Sequence, residues 1–153
     1  LFNPARLNLA HLYNRQGQND KAIQLFKTII SLEPAYGPAY YSLGLLYAEE
    51  QQMGTAIEYL DQAAELEQNP RVYYNLGLAH QQVNQTAEAE QAYLAGLEID
   101  EQNPDLMNAL AILYIQQEQF AKAKPYAEAL NQMFPNNLQL QQMLQMIQQG
   151  KRQ

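Results

Sequence analysis

Two histidines, His11 and His80, are the side chains best suited to moving a proton or holding a metal near neutral pH. They lie far apart in the chain, and neither is paired with another ligand at metal-binding spacing. There is no cysteine, which excludes a disulfide, a thiolate metal site, a c-type haem attachment and a cysteine nucleophile. No glycine-rich phosphate loop, Gly-x-Ser-x-Gly elbow or His-Glu-x-x-His pair occurs. The carboxylate pairs Glu49-Glu50 and Asp100-Glu101 are adjacent in sequence, so on a helix they would point apart. Asn84-Gln85-Thr86 fits a glycosylation sequon. Thr86 is better read as a helix start, with Glu88 and Glu90 at the positive end of the dipole. These residues predict no catalytic group, no metal ligand and no cofactor, and hence not an enzyme.

The chemistry that remains is recognition, and its residues recur. Ala39–Tyr47 reads Ala-Tyr-Tyr-Ser-Leu-Gly-Leu-Leu-Tyr, and Val72–His80 reads Val-Tyr-Tyr-Asn-Leu-Gly-Leu-Ala-His. Weaker copies run over Arg6–Tyr13 and Met107–Tyr114. Aligned on Ala10, Gly44, Gly77 and Ala111, the copies are 34, 33 and 34 residues apart. An aromatic column follows at Tyr13, Tyr47, His80 and Tyr114, so His80 is read as a packing residue. A small column stands at Ala22, Ala56, Ala89 and Ala123, and a further one at Phe26, Leu60, Tyr93 and Ala127.

Within each unit, apolar residues fall at i, i+3, i+4 and i+7, as at Tyr40, Leu43, Gly44 and Tyr47; this is a helical face. The second half of unit one does the same with Ala22, Ile23, Phe26, Ile29 and Ile30. Short polar breaks at Gly17-Gln18, Gln51-Gln52, Asn84-Gln85 and Glu118-Gln119 divide the halves. The spacing predicts helices over 4–16, 19–32, 38–50, 53–67, 71–83, 86–99, 105–117 and 120–133. A ninth, over 137–149, places Leu140, Met143, Leu144 and Ile147 on one side and glutamines elsewhere, as a terminal cap requires. Residues 150–153 read as a disordered tail.

The pattern resembles the tetratricopeptide repeat: an aromatic, Leu-Gly, a Tyr, then Ala and a bulky residue. Tyr40, Leu43-Gly44, Tyr47, Ala56 and Leu60 carry it in unit two, and Tyr73, Leu76-Gly77, Ala89 and Tyr93 in unit three. Pro34 and Pro135 close units one and four, whereas Pro70 and Pro104 fall later than a closing proline should. The resemblance covers roughly residues 3–135, as units 3–36, 37–69, 70–103 and 104–136. It implies an all-α, right-handed α-α superhelix with non-catalytic protein binding in a concave groove lined by the first helix of each unit. A looser resemblance, on Tyr74–Gln82 and Ala87–Tyr93, is to the repeat half of bacterial envelope proteins that fuse a multihaem cytochrome to such an array. On that alternative the chain is a docking arm of a redox protein.

A second apolar face runs along the first helices. Unit two shows it at Tyr41, Leu45 and Ala48, unit three at Tyr74, Leu78 and Gln81, unit four at Asn108, Ile112 and Ile115, and unit one at Leu7, His11 and Asn14. A helix apolar on more than one side needs more than one partner. These positions match those lining the family's groove, with Tyr41 and Tyr74 as anchors and Asn75 and Arg71 facing a peptide backbone or carboxylate. The Lys/Asn/Arg carboxylate clamp of some family members is not expected, because Leu7, Tyr41 and Asn108 occupy most of its positions.

The chain has 153 residues and a net charge of −7, unevenly spread. Residues 1–34 carry +2, residues 35–103 carry −10 and residues 104–153 carry +1. Many acids (Glu58, Asp61, Glu65, Glu88, Glu90, Glu98) fall on second helices, which should form a solvated outer face. Duplex DNA or RNA is a poor ligand for such a surface, since phosphate wants Lys and Arg. No apolar run approaches the ~20 residues of a membrane span. The chain begins at Leu1 with no visible leader, which reads as a fragment whose uncovered first unit is open to self-association. The compartment is undetermined at this level.

Overall fold

The computed structural model describes residues 2–150. It is built of helices: α1 (Asn3–Arg15), α2 (Asn19–Leu32), α3 (Gly37–Glu49), α4 (Met53–Leu66), α5 (Pro70–Gln82), α6 (Thr86–Ile99), α7 (Pro104–Gln116), α8 (Phe120–Met133) and α9 (Leu138–Gly150). Each odd helix pairs tightly with the even helix after it, and each even helix then packs on the next odd one. Odd helices also touch across units, α3 with α5 and α5 with α7. That places the odd helices in one layer, on the more crowded side of the superhelix.

Four of the odd helices begin at or just before a proline, at Pro4, Pro38, Pro70 and Pro104. Proline suits the first helical turn, where its missing N–H is not needed. Pro70 and Pro104 are therefore openers of α5 and α7, not late closers of the unit before. This also moves the starts of these helices one residue earlier than the periodicity predicts. Thr86 opens α6 as its first helical residue, with Gln85 before it and no side-chain cap bond. Asp100 and Glu101 lie beyond α6, so this pair is not helical.

The tight turn inside each unit repeats one device. Gly17, Gln51, Asn84 and Glu118 all have positive φ, between 58° and 73°. The next residue's N–H then reaches back to the carbonyl of the aromatic column: Gln18 to Tyr13, Gln52 to Tyr47, Gln85 to His80 and Gln119 to Tyr114, at 2.8–2.9 Å. This bond satisfies a carbonyl that the helix end would otherwise leave free.

The core lies between the layers as successive clusters along the array. Phe26, Leu60, Tyr93 and Ala127 are all buried, each beside the small column of its own unit. A Cβ on Gly44 would lie 2.6 Å from Leu60 Cγ, and one on Gly77 would enter the Tyr93 ring. Glycine is required there by close approach, not by φ. His80 is buried in the aromatic column and its Nδ1 lies 2.7 Å from Gln85 Oε1. Tyr40 and Tyr73 donate their hydroxyls to the carbonyls of Pro34 and Ala64, tying each unit to the end of the one before.

The last helix buries Leu140 and Ile147 and turns Gln141, Gln142, Gln145, Gln148 and Gln149 to solvent. Gly150, assigned above to the tail, is the last residue of α9 and sits against the Phe120 ring, where a Cβ would not fit. The remaining tail residues, 151–153, lie outside the described residues.

Candidate functional site

Tyr41 on α3 and Asn75 on α5 join two units directly. Asn75 Nδ2 donates to the Tyr41 hydroxyl at 2.8 Å and to the Arg71 carbonyl at 3.1 Å. A carbonyl can only accept, so the atom facing Arg71 O is the amide nitrogen, and the Asn75 side chain is oriented. Both its N–H donors are then used, leaving Oδ1 to accept from a ligand. The Tyr41 hydroxyl keeps its own proton to donate. Burial pushes the Tyr41 phenol above its usual range, against the opposing pull of Arg71 and of the Asn75 bond, so it stays a donor at neutral pH.

Beside this pair lies a cavity of about 370 Å³ between the N-terminal ends of α5 and α7. Pro70, Arg71, Tyr74 and Asn75 line it from α5, and Asn103 and Asp105 from the start of α7. Asn69 and Asn103 cap the two helices by accepting from Arg71 N at 3.0 Å and Leu106 N at 3.1 Å. Two helix N-termini and an exposed Arg71 favour an anionic or carbonyl group here, and Asp105 moderates that preference.

The predicted face carries two cavities that adjoin at Asp105. Arg71, Tyr74 and Asn75 meet around this first cavity, with Tyr41 bonded to Asn75. Asn108 and Ile112 line a second cavity, of about 460 Å³, which continues over Phe134, Leu140 and Met143 toward the cap. Leu7, His11 and Asn14 lie on α1 and line neither of these two cavities. His11 is exposed, edge-on to Phe26 at 5.3 Å and 3.3 Å from Ser42 Oγ, while Asn14 donates to Asn19 at 3.2 Å. Burial, with help from Arg15, lowers the His11 pKa.

Other predicted residues are committed to packing. Leu45 lies half-buried against the cluster of unit two and three residues around Leu60, and Ala48 against the cluster that holds Phe26 and Leu43. Tyr74, Leu78 and Ile115 pack on the cluster that holds Tyr93, with the Tyr74 ring 6.2 Å from that of Tyr93. Gln81 accepts the Tyr93 hydroxyl bond. Asn103 and Asp105 were missed. Their signal was the repeated Asn-Pro at Asn69-Pro70 and Asn103-Pro104, which marks two helix starts on one side of the array.

On the opposite side, Glu58, Asp61, Glu65, Glu88 and Glu98 are exposed. Glu90 departs from that face. It is half-buried, accepts from Tyr114 at 2.7 Å and pairs with Lys122 at 3.5 Å, so it holds unit three to unit four. Among the described residues no group of three or more His, Asp or Glu could hold a metal, and no helix is long and apolar enough to cross a membrane.

Tetratricopeptide repeat models match residues 7–71, 70–103 and 104–137. The chain belongs to the tetratricopeptide repeat family. Proteins of this family mediate protein–protein interactions. The chain is 26% identical over 127 residues to an Hsp70-Hsp90 organising protein of Plasmodium falciparum, covering 82% of this chain and 50% of that protein. It is 26% identical over 100 residues to the general transcriptional corepressor ssn6 of Schizosaccharomyces pombe, covering 63% of this chain and 9% of that one. It thus spans half or less of these relatives. In fold it is similar to MamA (TM-score 0.86, 21% identity, 97% of this chain and 82% of that one). It is also similar to YrrB, described as a tetratricopeptide protein with an unusual peptide-binding site (TM-score 0.83, 16% identity, 96% and 76%). The residues behind the looser cytochrome resemblance fall inside the 70–103 match.

Proposed function

We propose that this chain is a non-catalytic scaffold that binds an extended or helical protein segment on its odd-helix layer, centred on Tyr41, Arg71, Tyr74 and Asn75. The observation that carries this reading is the polar cavity between α5 and α7. It lies beside a half-buried tyrosine and an amide oxygen for which no acceptor and no donor, respectively, is found among the described residues, and beside an exposed guanidinium. A ligand backbone would donate an N–H to Asn75 Oδ1 and accept from the Tyr41 hydroxyl. A ligand carboxylate or carbonyl would meet Arg71. Ile112 and the second cavity would take an apolar side chain further along.

The test is selection of binding peptides from a random displayed library, followed by titration against variants. Arg71→Glu and Ile112→Asp change exposed side chains and leave the core alone. Leu78→Asp and Tyr74→Ala are poor probes, because both side chains pack against the Tyr93 cluster. Selected peptides should lose about tenfold or more in affinity with Arg71→Glu, as hot-spot contacts do. Peptides that bind both variants as they bind the parent chain would contradict the site.

A further inference from the structure

The two cavities are one repeat position occurring twice. Pro70, Arg71 and Tyr74 line the first, and the residues 34 places on, Pro104, Asp105 and Asn108, line the second. The caps follow the same step, with Asn103 at the first cavity and Asn137 at the second. Each cavity thus lies beside the start of one odd helix and the start of the next, α5 with α7 and then α7 with α9. Asp105 borders both, so together they form one track that advances by a unit. The second cavity differs in chemistry because the shorter Asn108 replaces Tyr74, and Phe134 and Met143 stand where unit three has Asp100 and Ala109. Ile112 and Phe134 are 38% and 46% exposed there, so a large apolar side chain entering it would take their surface out of water.

The charge also changes from one step to the next. Arg71 and Asp105 hold the same repeat position with opposite sign. Both are exposed and both line the first cavity, yet among the described residues neither takes part in a salt bridge. A ligand anionic throughout would be attracted at Arg71 and repelled at Asp105. A ligand of alternating charge would be attracted at both. Helices α5 and α7 touch directly, and packed helices stand about 8–10 Å apart. An extended chain covers that distance in two or three residues, at about 3.3 Å each.

We infer that the ligand is an extended peptide segment of alternating chemistry. It carries an acidic residue at Arg71, a basic residue two or three positions along at Asp105, and a large apolar residue two or three positions further on, in the second cavity. This pattern rests on the odd-helix layer being the binding surface, and it adds the order of side chains along that surface.

Labelled peptides with a Glu, a Lys and a Phe separated by one or two serines, made in both chain directions, serve as probes. They are titrated against the whole chain by fluorescence anisotropy. The order Glu-Lys-Phe should bind saturably, more weakly as salt rises, and about tenfold tighter than Lys-Glu-Phe, since each exposed ion pair turned to repulsion costs a few-fold. Replacing the Phe by Ser should cost about tenfold or more. Arg71→Glu combined with Asp105→Arg should reverse the preferred charge order, with the helical circular dichroism retained. Asp105→Asn, which keeps the start of α7 polar, should remove most of the preference for Lys over Ser at the middle place. Equal binding of the two orders, or an order preference that the charge exchange leaves in place, overturns the pattern. So does a failure of all these peptides to bind. In each of those cases the binding surface itself still stands if library-selected peptides weaken with Arg71→Glu, and falls with the pattern if they do not.

Discussion

At the scale of residues, the chain spends its polar side chains on joining units. The Asn75–Tyr41 bond, the Glu90–Tyr114 bond and the Tyr hydroxyls on Pro34 and Ala64 all cross a unit boundary. Glycine has a matching role in the core. Gly77→Val should drive a methyl into the Tyr93 ring and lower stability by about 1–3 kcal/mol, read as a lower urea midpoint. Glu67 gives a pH signature. Its side chain lies against Gly37, and burial raises its pKa. A raised folded-state value means that folding favours the protonated form. The group's contribution is full below the unfolded glutamate value of about 4.3 and is lost as pH rises through the folded value. Glu67→Gln should thus match the parent chain in strong acid and exceed it in thermal midpoint at about pH 7.

At the scale of elements, the in-unit turns hold an unused reserve of stability. Gln51, Asn84 and Glu118 adopt the left-handed conformation that Gly17 adopts without strain. That conformation costs a side-chain-bearing residue about 1–2 kcal/mol, and glycine gives back roughly half through its looser unfolded state. Glu118→Gly should therefore stabilise the chain by about 0.5–1 kcal/mol, seen as a higher thermal midpoint. The helices themselves were legible because their apolar period is unbroken. Even α8 runs through Pro125, an exposed position inside the helix where the carbonyl left without its bond, that of Ala121, can bond water. Boundaries were less legible. Periodicity begins with the first apolar side chain, whereas α5 and α7 begin at the proline before it.

At the scale of the molecule, each unit is finished by its neighbours. The cap is the clearest case. Ending the chain after residue 136 removes α9 and with it the burial of Leu140 and Ile147. Each such side chain is worth about 1.5–3 kcal/mol, so the shortened chain should unfold at lower urea and bind a hydrophobic dye. The candidate site was half legible at this scale. The i, i+4, i+7 pattern singled out Tyr41 and Tyr74 on the odd helices, and Arg71 and Asn75 were added from their polar chemistry beside them. It could not say that Leu45, Leu78 and Ile115 pack half-buried against the core, because that depends on how closely α3, α5 and α7 approach. Nor could it find Asn103 and Asp105, which come from a helix start one unit away.

The central claim, that the odd-helix layer around the α5–α7 cavity is the binding surface, is tested most directly by an amide chemical-shift map of the labelled chain with a selected peptide. The account predicts that the largest changes fall at Tyr41, Arg71, Tyr74, Asn75, Asn103 and Asp105, extending toward Ile112. Changes concentrated instead on the outer helices, around Glu58, Asp61, Glu88 and Glu98, would contradict it.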